Sequence, residues 1–372
     1  MRRPGDIFRG RHPRERTRPA ARFHEVTNVF HACLSAMRGL RSSRHFRLSR
    51  RVGAGLSGAA LLGAGLLAIL SLATAVAAQT PEKVRIGYQR SSTLITVLKT
   101  NGTLEKALAP LGVEVSWHEF TSGLPLLEAV NVGAIDFSAD VADTVPVFAQ
   151  AAGAKLVYVA EEAPSPSAQA ILVPAQSSIS TLEQLKGRKV GVTKGAGSHY
   201  LLLVALAKAG LSIRDITPAY LTPADARAAF VSGNLDAWVA WDPFLASTQA
   251  QSGARVLADG TGLASYKRYY LTTEDFSKRG DKVLQVLFDR LRATGEWVKA
   301  NPGPAAEILA GLWGIDAPTV EKANARRSYK VGAVSAAGLA EQQKIADAFF
   351  AEGVLPKKVD ATDAAIWKPA QP

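Results

Sequence analysis

Two stretches one hundred positions apart share a plan: Leu127–Asp136 reads LEAVNVGAID and Arg227–Asp236 reads RAAFVSGNLD. In each, a helical pattern ends at a glycine, Gly133 or Gly233, a residue that tolerates the left-handed conformation closing a helix. A hydrophobic residue and an aspartate then open a strand. The doubling extends upstream, where Val84-Arg85-Ile86-Gly87-Tyr88 is echoed by Lys189-Val190-Gly191-Val192. Each short apolar strand runs into a Ser- or Gly-bearing turn and then a helix. A coincidence of ordinary αβ turns is the alternative. The economical reading is one α/β unit made twice, each copy a mostly parallel sheet flanked by helices.

Taken in order, the chain predicts a strand at Val84–Tyr88, a turn at Gln89-Arg90-Ser91-Ser92 and a helix broken at Asn101-Gly102. A second helix at Leu104–Leu111, a strand at Val113–Glu119, a helix at Leu124–Val132 and a strand at Ile135–Ser138 follow. Helix 145–152 and strand Leu156–Ala160 complete the first half. Pro-bearing EEAPSPS at 161–167 is the first crossing. The second half alternates strand 189–193, helix 198–209, strand Ile216–Leu221, helix Pro223–Val231 and strand Ala237–Trp241. Asp242-Pro243 opens a further helix, since proline suits the first helical position. Tyr269–Thr272 returns the chain, and 281–367 is nearly all helical pattern, with stops at Pro302, Gly314 and Gly353. The expected domains are a leader at 1–78, lobe 1 from 79–168 plus 270–372, and lobe 2 from 169–269. The hinges fall near Pro164–Ala170 and Leu263–Tyr270.

The net charge of +12 suggests a nucleic-acid partner until it is located. Residues 1–78 hold 14 of the 44 basic residues and three of the 32 acidic ones, which leaves 30 against 29 for the rest. A near-neutral remainder does not bind a phosphate backbone. The basic leader, the uncharged run Val52–Val76 and Ala75-Val76-Ala77 together read as a signal peptide for export to the periplasm, with an uncleaved anchor as the alternative. Met37, the only other methionine, is a second candidate start. Cys33 lies in that leader, so the exported part has no thiolate, and it keeps only His118 and His199. Neither a metal centre nor a cofactor is expected.

Two facing lobes place the turns after their strands along one crevice. Those turns contain Gln89, Ser91 and Ser92; Ser122 and Gly123; Asp140, Asp143 and Thr144; Gly195, Gly197, Ser198 and His199; and Trp241 and Asp242. Gly195, Gly197 and Ser198 present backbone N–H groups and a hydroxyl at a helix N-terminus, which either seats an anion or is a plain cap. Ser122 has the same two readings. Asp140 and Asp143 either recognise a cationic substituent or cap the next helix. Asp242 caps the helix after Pro243, Trp241 stacks on a ligand or fills the core, and His199 faces the cleft or solvent. A set so poor in lysine suits an oxyanion held by neutral donors with an apolar tail beside it.

Several strings resemble the periplasmic aliphatic-sulfonate-binding proteins of ABC importers. They are IGYQ at 86–89, LEAVNVG at 127–133, FAQAAGA at 148–154, KGAGSHYLLL at 194–203, YLTPADARAAF at 220–230, WDP at 241–243 and VLPKKVD at 354–360. The similarity covers Val84 to Trp367. It implies a type II solute-binding fold that closes on an alkanesulfonate and presents it to a permease for sulfur acquisition. The same fold also serves taurine, nitrate or vitamin-precursor receptors. An enzyme on this scaffold, a lyase or transferase, would need His199 with Asp140 or Asp143 as its base. One departure stands out: Ser138–Thr144 (SADVADT) carries one residue more than the turn usual in the family, at a place expected to face the ligand.

Overall fold

The computed structural model describes residues 82–370. The leader, its apolar run, Cys33 and residues 79–81 lie outside the described residues. Two sheets form the frame. The first is built from Lys83–Gln89 (β1), Glu114–Phe120 (β2), Phe137–Ala142 (β3), Leu156–Glu162 (β4) and Arg268–Thr273 (β10), with short strands Val331–Gly332 (β11) and Ala365–Ile366 (β12) on β4. Its order is β11-β4-β10-β3-β1-β2. The second holds Gln169–Val173 (β5), Lys189–Val192 (β6), Thr217–Tyr220 (β7), Ala237–Trp241 (β8) and Arg255–Asp259 (β9), in the order β7-β6-β8-β5-β9.

Three strands run parallel in each sheet: β2, β1 and β3 in the first, β7, β6 and β8 in the second. The crossing strands break the pattern. β10 enters between β3 and β4 antiparallel to both, and β5 lies antiparallel to β8 and β9. Chain passing back through a parallel sheet must run against it, and that is the antiparallel share missing from the sequence reading.

Helices cover both faces of each sheet, because these strands bury residues on both sides. Over the first sheet lie Thr93–Asn101 (α1), Thr103–Leu108 (α2), Gly123–Asn131 (α3) and Thr144–Ala151 (α4), together with Glu274–Arg279 (α8), Asp281–Ala300 (α9), Pro302–Trp313 (α10) and Ala317–Arg326 (α11). Over the second lie Gly197–Lys208 (α5), Pro223–Val231 (α6) and Phe244–Ser252 (α7). Ala336–Ala351 (α12) buries Ile345 and Phe349 against Val147 of α4 and Leu203 of α5, so the C-terminal helix touches both lobes.

The repeat in the sequence is a repeat in space. Gly133 and Gly233 have φ of 72° and 76°, left-handed in both copies. The Asp136 carboxylate accepts from the Arg85 N–H at 2.9 Å, and that of Asp236 accepts from the Lys189 N–H at 2.8 Å. In both lobes an aspartate thus ties the start of one strand to the start of its parallel neighbour.

The extra residue in 138–144 is not in a turn. β3 continues to Ala142, pairing Val141 with Tyr269 but Ser138 with Leu271, so two residues of β3, Ala139 and Asp140, face one of β10. This is a β-bulge, which absorbs an inserted residue and re-aims a side chain. The charge of Asp140 explains where it points.

Candidate functional site

Where the two lobes meet they enclose a cavity of about 20 Å³, roughly the room one water needs. Gln89 closes it from the end of β1, Ser122 and Gly123 from the start of α3, Gly197 from the start of α5, and Trp241 from the end of β8. Lys194, Tyr266 and Arg268, none of them among the residues predicted from sequence, complete the wall.

Glycine is required at two of these positions. A Cβ on Gly197 would stand 2.5 Å from the Tyr266 ring, and one on Gly123 would stand 2.8 Å from Val145. The missing side chain at Gly197 lets α5 lie against Tyr266 and Ala142, and the one at Gly123 lets α3 pack on α4 within lobe 1. Across the same seam the Thr144 hydroxyl donates to the Gly195 carbonyl at 2.7 Å.

Arg268 dominates the electrostatics. Its side chain is 3% exposed and reaches Asp140 Oδ2 at 2.6 Å, the Asp140 carbonyl at 2.9 Å and the Tyr266 hydroxyl at 2.9 Å. Its Nε has no partner among the described residues. Asp140 holds the guanidinium and Gln89 braces the same carbonyl, donating to it at 3.0 Å. Behind them Arg327 bridges Asp140 at 3.4 Å and Glu162 at 2.7 Å. Two carboxylates thus meet two guanidiniums, and a buried pair needs that balance.

Other helix-end donors converge here. Ser122 is the N-cap of α3, yet its side chain makes no capping bond, so its hydroxyl is free at the cavity wall. Gly197 and Ser198 occupy the first turn of α5, where backbone N–H groups precede the helix's own hydrogen bonds.

Several expectations need correction. Asp140 faces Arg268 and Arg327 rather than a cationic ligand, because a buried carboxylate must be paired. Asp143 does not line the cavity. It accepts from the Lys267 N–H at 3.1 Å, and burial pushes its pKa up to about 7. Asp242 is also turned away, accepting from the Ala246 N–H at 3.0 Å and from Arg326 at 3.2 Å, with its pKa likewise raised by burial to about 7. The N-cap of α7 is Pro243 rather than Asp242, and the helix begins at Phe244, one residue later than predicted; Asp242 precedes the cap and reaches the first turn through Ala246.

His199 faces neither cleft nor solvent. Its Nδ1 accepts from the Gly195 N–H at 3.2 Å, and the ring packs against Tyr220 and Phe349 at 5.5 and 5.1 Å. Burial lowers its pKa to about 4, so it is neutral. Ser198 is not the cap of α5; that position is Ala196, and the buried Ser198 hydroxyl has no partner among the described residues. Ser92 holds the β1–α1 turn, its hydroxyl accepting from the Gln89 N–H at 3.3 Å, while Ser91 borders a separate groove. Gly195 shapes its turn at φ 75° under Leu124 and does not line the cavity.

The NMT1/THI5-like family matches residues 109–305. A relative from Escherichia coli K12, named for aliphatic sulfonates binding, is 42% identical over 309 residues, covering 83% of this chain and 95% of its own. The chain belongs to this family of sulfonate-binding proteins. Among solved structures, the alkanesulfonate-binding protein SsuA of Xanthomonas axonopodis pv. citri bound to MOPS matches with a TM-score of 0.73 and 38% identity, over 77% of this chain and 99% of that one. The periplasmic aliphatic sulphonate binding protein SsuA of Escherichia coli matches with a TM-score of 0.71 and 42% identity, over 78% and 94%. The desulfurization enzyme DszB, at 15% identity and a TM-score of 0.56, shares the fold alone. The sulfonate-binding fold is therefore common to receptors and an enzyme, and the site must decide between them.

Within the sulfonate-binding family frame, Arg268 is the residue the sequence reading passed over. It stands in KRYY at 267–270, where two cations lead into the buried run Tyr269-Tyr270-Leu271 of the crossing strand. A charged residue at such a place is buried only if a partner waits for it, and that was the available signal.

Proposed function

We propose that this protein is a periplasmic receptor whose lobes close on a small organosulfonate and present it to an ABC permease. The observation that carries the reading is that one interlobe cavity is lined by Arg268, whose Nε has no partner among the described residues, by Ser122 with its uncapped hydroxyl and by Gly197 in the first turn of α5. A tetrahedral sulfonate has three acceptor oxygens and one fixed charge. Donors from three directions around one cation complement it, and the buried Asp140–Arg268 pair holds the guanidinium in place.

The cavity is smaller than a sulfonate, so entry requires the lobes to part. The ligand then favours closure by bridging donors from both lobes, the differential affinity on which a population shift depends. Gly197 and Tyr266 are the contact that sets how far closure can go.

A receptor also fits the placement of the titratable groups better than an enzyme does. The two candidate bases beside His199 are committed elsewhere, Asp140 to arginines and Asp143 to the Lys267 N–H, and His199 itself is shut behind Tyr220 and Phe349. The periplasmic location rests on a relative whose name carries it, and the permease on the family's place in ABC transporters.

Calorimetry with methanesulfonate, taurine and nitrate tests the reading. Methanesulfonate is expected to bind, and Arg268→Lys to weaken it by about 1.5–3 kcal/mol, since an ammonium cannot reproduce the fork between Asp140 and the anion. Affinity unchanged in that variant, with its melting temperature retained, removes Arg268 from the site. Tighter binding of nitrate than of any sulfonate sinks the ligand class.

A further inference from the structure

A groove of about 250 Å³ continues the anion cavity. Ser122, Thr193 and Lys194 line both, and the groove runs on over Tyr220, Leu221 and Pro223 of lobe 2, with Thr121 of lobe 1 in its wall. A larger groove, about 580 Å³ between lobe 1 and helices α6 and α7, shares no lining residue with the cavity. The smaller groove is therefore the one that extends the sulfonate's site.

Its chemistry is polar and cationic. Thr121, Ser122 and Tyr220 bring hydroxyls to the wall, and the Thr193 hydroxyl donates to the Leu221 carbonyl at 2.9 Å, tying the turn after β6 to the turn after β7. The Thr222 hydroxyl is committed to Asp225 at 2.7 Å, and Asp225 does not line the groove. Lys194 is exposed, with its ammonium 6.0 Å from the centre of the Tyr220 ring. It forms no ion pair among the described residues, and no carboxylate among them lines the cavity or the groove. Arg268 differs, because its charge is already met by Asp140. Of the two cations on the cavity wall, Lys194 is thus the one whose charge is left for a ligand.

From this we infer that the organic tail of the sulfonate lies in the smaller groove, and that Lys194 selects tails carrying a second acidic group over neutral or apolar tails of the same shape. The inference rests on the sulfonate reading of the cavity. With the sulfonate against Arg268 and Ser122, a carboxylate at the end of a short tail meets the ammonium beside Tyr220 in a charge-assisted hydrogen bond. Because the ammonium is exposed, the gain is modest and falls with salt. The flexible lysine stem lets one cation follow tails of different length.

The test is calorimetry on the purified protein with methanesulfonate, which has no tail, and with three tails of matched shape: 3-sulfopropanoate, 3-sulfopropanamide and 3-methylbutane-1-sulfonate. The native protein is expected to bind the acid about threefold or more tightly than the amide, and the amide more tightly than the branched alkane; the first gap should close as salt is raised. Lys194→Met keeps the stem and removes the charge, and should bring acid and amide to equal affinity. Thr121→Trp, at an exposed position that lines the groove but not the cavity, should weaken the three tailed ligands relative to methanesulfonate by about fivefold or more. Should that variant fail to fold, Lys194→Met and the salt series decide. Equal binding of acid and amide by the native protein overturns the inference, as does an acid preference that survives Lys194→Met. A tail penalty in Ala228→Trp, on the wall of the larger groove, without one in Thr121→Trp moves the tail elsewhere and overturns it too. Failure of methanesulfonate to bind the native protein would instead remove the receptor reading, and this inference with it.

Discussion

The two lobes use one backbone device in two electrostatic settings. In each, a glycine in the first strand sits under a leucine: a Cβ would stand 2.2 Å from Leu126 at Gly87 and 2.5 Å from Leu235 at Gly191. In each, an aspartate exchanges backbone and side-chain bonds with the start of that strand. The surroundings differ. Asp136 is 4% exposed and holds Arg85 at 2.8 Å and Arg279 at 3.1 Å, whereas Asp236 is far more exposed and, among the described residues, pairs with Arg188 alone, at 3.8 Å. The second arginine comes from α8, which follows the return strand β10 and so exists only over lobe 1. The repeated part is what the chain does locally; the unrepeated part is what the returning chain adds.

The next strand shows the same split. Asp143 and Asp242 are equivalent residues ending β3 and β8, but the first copy is one residue longer, and the excess is the bulge carrying Asp140. Only lobe 1 receives β10, and only β10 brings Arg268 to be paired. The asymmetry between the lobes therefore produces the buried guanidinium at the cavity.

The strongest way to break this comparison is to remove both aspartates in turn. Asp136→Ala should cost about 2 kcal/mol in denaturant unfolding, because it removes the partner of a strand N–H and of two partly exposed arginines, while Asp236→Ala should cost less than about 1 kcal/mol. Equal losses would mean that the second arginine contributes nothing. Gly87→Ala and Gly191→Ala should each cost about 1–3 kcal/mol, alike within error, since both force a leucine to move. A large difference would show that the shared frame is not equally tight.

The smallest effect per step is in pH. Burial raises the folded-state pKa of Asp143 and of Asp242 to about 7, so between about pH 4 and 7 the folded protein keeps protons that the unfolded chain has lost. Stability therefore falls as pH rises through that window, by at most about 1.4 kcal/mol per pH unit for each group, and levels off above it. Asp143→Asn and Asp242→Asn should each flatten the slope by a similar amount. A slope that survives both substitutions would place the titration elsewhere.

Much of the frame was legible in the chain because it depends on neighbours in sequence. Gly133 and Gly233, the strand at Ala237–Trp241 and the helix at Pro223–Val231 stand where their patterns predict. Glycine-closed helices and apolar strands are decided within a few residues. Less of the site was legible. Gln89, Ser122, Gly123, Gly197 and Trp241 follow strands of the repeated plan and do border the cavity. Asp140, Asp143 and Asp242 follow the same strands, yet each turns to a partner far off in the chain, and His199 is covered by Phe349. For Asp140 that partner lies 128 residues away, and no pattern of spacing encodes such a meeting.

By itself the sequence determined a doubled α/β unit and two helix starts with free donors, because those follow from periodicity, glycine and backbone geometry close by in the chain. The tertiary structure alone decided that Arg268 would be the cation at the seam. A charge can be buried only opposite its counter-charge, and Asp140 reaches it only after the chain has left lobe 1, built lobe 2 and come back.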